Sequence, residues 1–153
     1  VDEKHVYVDG SRGEILCLDR EGQADGNDGP FTDELPYMGL KDPGASLLAS
    51  DGDIVWCFRL IPEVDVVPHD VCASTLLLHG DLLYACTSNG VDGPHTTMAR
   101  PNAPSLIVLD RRTGRLVARE REDIGTRTLH GTWSSPSRML WPAAIPGTPV
   151  RSS

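Results

Sequence analysis

The stretch Ser105-Leu-Ile-Val-Leu-Asp-Arg-Arg-Thr-Gly-Arg-Leu-Val-Ala-Arg-Glu120 decides the fold. Leu106 to Leu109 is a short apolar, β-branched run, and Leu116, Val117 and Ala118 make a second. Between them lies Asp110-Arg-Arg-Thr-Gly114. An Asp opening a turn accepts hydrogen bonds from the backbone just after it, and a late Gly takes positive φ without a Cβ clash. Two apolar runs around such a turn predict a β-hairpin.

Working outward, the same signals recur. Val6-Tyr-Val8 reads as a strand, Gly10-Ser-Arg-Gly13 as a turn and Glu14-Ile-Leu-Cys-Leu-Asp19 as a strand apolar on both faces. Such two-sided strands suit a sheet stacked between others. Residues 20–51 carry no periodicity and read as a long irregular insertion. Strand signal returns at Asp53-Ile-Val-Trp-Cys-Phe58, followed by a connection through Pro62 and Pro68. A hairpin is expected from Cys72 to Thr87, turning at His79-Gly-Asp81, and a second irregular segment runs from Ser88 to near Pro104. Helix is expected for one turn at most, over 45–49.

The segments repeat in order. Val6-Tyr7 matches Leu83-Tyr84, Ile15–Asp19 matches Leu106–Asp110, and Gly52–Trp56 matches Gly114–Ala118. Pro68–Thr75 matches Leu129–Pro136, aligning His69 with His130. Four short strands repeated in fixed order are a signature of propeller blades.

The apolar strand, "LD", "TG" turn and following strand resemble the repeat of the pyrroloquinoline-quinone (PQQ)-type β-propellers. The Trp that commonly follows the turn stands at Trp56, and Ala118 replaces it in the second unit. The resemblance implies an all-β chain, a partial propeller of four-stranded antiparallel blades. Residues 1–137 would form the propeller segment: 4–58 part of one blade, 69–122 a complete blade, 129–137 the start of the next. Residues 138–153 read as an irregular tail. This implies a fragment whose partners are the remaining blades of a longer chain.

The resemblance also sorts the loops. It implies a channel-mouth face bearing His69, Asp70, Asn89, His95, His130 and Trp133 as candidate residues for a protein or small-molecule ligand. Imidazoles there suit metal ligation or proton transfer; hydrogen bonding to backbone at a repeated junction is the plainer role. The 20–51 insertion would lie on the opposite face. There Asp25, Asn27, Asp28 and Asp33 offer hard oxygen ligands, with Gly26 and Gly29 permitting tight turns. That chemistry suits Ca²⁺, without the spacing or closing Glu of an EF-hand. A solvated polar turn is the alternative. His5 and His79 read as exposed.

Quinoprotein dehydrogenases of the resembling superfamily place adjacent cysteines near the quinone. Cys17, Cys57, Cys72 and Cys86 include no adjacent pair and no CxxC, and buried free thiols are expected of them. The favoured expectation is therefore a non-catalytic binding or scaffolding module. The alternative is a piece of a PQQ-dependent oxidoreductase whose active site lies in other blades. A periplasmic or exported location follows from the resemblance alone. The formal charge of −8 opposes nucleic-acid binding, and no apolar run approaches a membrane span.

Overall fold

A computed structural model describes residues 1–68, 74–87, 89–128 and 134–138. It is mostly β, with two antiparallel sheets. The first has order β1-β2-β3, from β1 (His5–Gly10), β2 (Glu14–Asp19) and β3 (Ile54–Arg59). The second has order β4-β5-β6-β7, from β4 (Leu77–His79), β5 (Leu82–Cys86), β6 (Leu106–Asp110) and β7 (Leu116–Arg119). Within each sheet, every strand lies beside its neighbour in sequence.

The deciding hairpin forms as its residues require. Asp110 Oδ1 accepts the N–H groups of Arg112 at 2.9 Å and Thr113 at 3.0 Å, and the Thr113 hydroxyl at 3.1 Å. Gly114 closes the turn at φ +69°. Its N–H donates to the Asp110 carbonyl at 2.9 Å.

One core joins the sheets. Ile15, Cys17, Trp56 and Phe58 of the first meet Leu83, Ala85, Ile107 and Leu109 of the second, all buried. Trp56 is the principal joint. Its indole N–H donates to the Arg111 carbonyl at 3.0 Å. Its ring covers Gly114, where an added Cβ would meet ring carbons at 2.6 Å. Tyr7 packs on the same indole, centroids 6.1 Å apart.

Short helical turns form where prolines hid them. α1 (Glu34–Tyr37) and α2 (Leu60–Val64) each hold a proline in the first turn, where no N–H is needed. No helix forms over 45–49, where the sequence allowed one turn at most. α2 instead drives Leu60 and Val64 into the core, capped by Asp65 at φ +55°.

The insertion returns over the first sheet. Leu16 alternates away from the core side yet is only 7% exposed. Tyr37 reaches Glu14, on the Leu16 side of β2, with a 2.9 Å hydrogen bond from its hydroxyl. Arg12 stacks over the Tyr37 ring at 4.5 Å and donates to the Tyr37 carbonyl at 2.8 Å. Cys17 is a buried free thiol, whereas Cys57 and Cys86 are free but only half-buried. Cys72 lies outside the described residues.

Candidate functional site

Carboxylates gather at one end of the first sheet. Asp19 ends β2, and Asp53 immediately precedes β3, so the antiparallel pairing brings them together: the Asp19 N–H donates to the Asp53 carbonyl at 3.0 Å. Between them in sequence, the 3-10 helix Gly22–Ala24 ends at Asp25, and the chain folds back at Asp28. Gly29 permits this approach. At φ +77°, an added Cβ would lie 2.4 Å from the Val55 carbonyl oxygen. Only glycine lets residue 28 press onto β3 this closely.

The result is a ring of Asp19, Asp25 and Asp28 in which one carboxylate oxygen from each lies within 4.8 Å of the others. Asp19 is half-buried, while Asp25 and Asp28 are exposed. Behind the ring sits Asp53, fully buried. Its Oδ2 accepts the Asp28 N–H at 2.8 Å. Its Oδ1 has no hydrogen-bond partner among the described residues, nor has either oxygen of Glu34, only 2% exposed. Burial pushes the Asp53 carboxyl above the usual carboxylate range. The Asp28 N–H opposes this, and the charges of Glu34, Asp28 and Asp19 add to it.

An oxygen-only set of this kind can hold a hard cation and orient its remaining waters. It offers no thiolate or imidazole to a soft metal. Lys4 and Arg20 line the same cleft, and Arg20 Nη1 donates to the Glu3 carbonyl at 3.0 Å. No ion pair to Asp19, Asp25, Asp28, Asp53 or Glu34 occurs among the described residues.

The structure thus brings together Asp25 and Asp28 of the four residues expected from the sequence. Asp33 stands apart, at the start of α1, lining a cleft with Arg12, Tyr37 and Arg59. Asn27 is exposed on the loop between Asp25 and Asp28. Asp19 and Asp53 were missed because each reads as ordinary strand-end punctuation. Their signal is position: acids stand immediately at both roots of the insertion.

Of the other candidate residues read from the sequence, His69, Asp70, His130 and Trp133 lie outside the described residues. Asn89 is buried, and its amide is committed to backbone: Nδ2 donates to the Arg100 carbonyl at 2.7 Å, and Oδ1 accepts the Val67 N–H at 3.2 Å. His95 is exposed in left-handed conformation, φ +61°, on the turn closed by Asp92. Hydrogen bonds from the Thr97 hydroxyl and from the Thr96 and Thr97 N–H groups hold the Asp92 carboxyl down at about 2. His79 is exposed as expected. His5 is half-buried instead, its Nδ1 3.4 Å from Asp2.

No family model, no curated protein and no solved structure corresponds to this chain. No helix among the described residues is long and apolar enough to cross a membrane.

Proposed function

We propose that the chain is a segment of a PQQ-like β-propeller that serves as a non-catalytic binding or scaffolding module. One observation carries the reading: the two sheets place the same backbone bonds at the positions aligned as repeats. The Arg20 N–H donates to Lys4 and the Arg111 N–H to Asp81; the Asp19 N–H donates to Asp53 and the Asp110 N–H to Arg115. The turn after the "LD" strand is thus anchored in the same way twice. The Trp56 indole then docks on the second turn, which is how consecutive units of a repeat fold bury their faces. The domain limits 4–58, 69–122 and 129–137 belong to this proposal, with 138–153 as tail, the remaining blades as partners and a periplasmic or exported location.

Binding is favoured over oxidation by the absence of adjacent cysteines from the sequence. The test is reconstitution of the complete protein, the remaining blades included, with PQQ and Ca²⁺, followed by dye-linked oxidation of an alcohol. No dye reduction above the protein-free rate is expected. Turnover that requires both additions would establish the oxidoreductase alternative instead.

A further inference from the structure

We propose that Asp19, Asp25 and Asp28 form a Ca²⁺ site at the end of the first sheet, with Asp53 as the buried carboxylate behind it. The site stands independently of the propeller reading. Its first support is convergence. The three ligand oxygens lie within 4.8 Å of one another. Oxygens that near to one another can all reach a single hard cation at the roughly 2.3–2.6 Å of Ca²⁺–oxygen bonds. Ca²⁺ accepts irregular shells of oxygen ligands such as exposed loop carboxylates offer, while Mg²⁺ demands octahedral order and gives up its waters reluctantly.

The second support is the floor. Asp53 is fully buried and held against the ring by the Asp28 N–H, with Oδ1 lacking a partner among the described residues. Buried carboxylates are ordinarily paired or bound to metal, because an ion out of water without compensation is costly. Glu34, equally buried and without a hydrogen bond at either oxygen, acts on Asp53 with the same sign. Lys4 and Arg20 line the cleft, but no ion pair to any of these five acids occurs among the described residues. A divalent cation on the exposed rim supplies the missing positive charge. Gly29, which admits no side chain, is the device that sets Asp28 over Asp53.

The residues specify a weak, accessible site. Two of the three ligands are exposed, so waters complete the coordination shell. Affinity of the exposed-module kind follows, with Kd on the order of 10⁻⁴–10⁻³ M.

The experiment is calorimetric titration and thermal melting of the 153-residue chain after chelator treatment, first with CaCl₂ and then with MgCl₂. Calcium should release or take up heat with saturation in the millimolar range and raise the melting temperature; magnesium should bind at least roughly tenfold more weakly. Asp25→Asn and Asp28→Asn should each weaken calcium binding by about tenfold or more. Asp33→Asn, outside the ring, should leave it unchanged. Asp25 is exposed, so its amide variant is expected to fold, and its melting curve before calcium addition reports that directly. Absence of both heat and thermal shift at millimolar calcium would overturn the proposal. So would wild-type affinity in an Asp25→Asn/Asp28→Asn double variant.

Discussion

Asp2 and Asp9 titrate in opposite directions beside the same strand. Burial raises the Asp2 carboxyl, but the N–H groups of His5 and Lys4 and the Tyr7 hydroxyl outweigh it and hold the group at about 2. Asp9 is pushed up to about 6 by burial, reinforced by the charge of Glu14. The signs separate the two. Asp2 favours the fold when ionised, so its contribution is present above about pH 4 and lost as pH falls through about 2. Asp9 favours the fold when protonated, so its contribution is complete below about pH 4 and lost as pH rises through about 6. Asp9→Asn should therefore stabilise the chain near neutral pH by about 1 kcal/mol after allowance for solvent screening, with no gain below about pH 4. Asp2→Ala should cost about 1 kcal/mol near neutral pH, through the two lost N–H acceptors. Urea unfolding of both variants at acid and neutral pH checks the pair. Equal effects at both pH values would contradict the linkage.

At the scale of elements, the principal joint between the sheets is one indole on one glycine. Trp56→Ala removes the ring and should cost about 3–5 kcal/mol. Gly114→Ala adds strain at φ +69° and a Cβ 2.6 Å from the ring, so about 2 kcal/mol or more is expected. The two should not add. Once the ring is gone the clash is gone, and Gly114→Ala costs only its backbone strain, about 1 kcal/mol. Additive losses in chemical denaturation would show that the contact does not join the sheets. This joint also marks what was legible. Asp110 and Gly114 announced their hairpin because turn chemistry is local. Alternation put Ile15 and Cys17 on one face of β2, and only the packing of the sheets shows that face to be the core side. The helical turns stayed hidden because Pro36 and Pro62 read as breakers, while a first turn tolerates them. Two of the three ring residues, Asp25 and Asp28, were legible as part of an acid-rich loop. Asp19 was not, since its role depends on where the loop returns, and that is set by Gly29 against Val55 across the sheet.

The whole molecule carries two opposed tendencies. Its formal charge of −8 keeps copies apart. Its second sheet, buried on the side of Leu83, Ala85, Ile107 and Leu109, is also apolar on the other, where Leu77, Tyr84, Leu106 and Val108 are only half-buried. β7 is exposed along its whole length, with Leu116 at 39% and Val117 at 56%. An exposed apolar edge strand is a template for pairing with another chain. Added salt weakens the charge repulsion and leaves the apolar edge intact, so self-association should rise with ionic strength in sedimentation velocity. Val117→Lys separates the two tendencies. It lowers the net negative charge, so repulsion alone predicts more association; a lysine on the edge strand blocks pairing and predicts less. We expect less, with the variant monomeric at salt concentrations where the wild type associates. Greater association of Val117→Lys would show that charge governs this surface and that β7 is no docking edge.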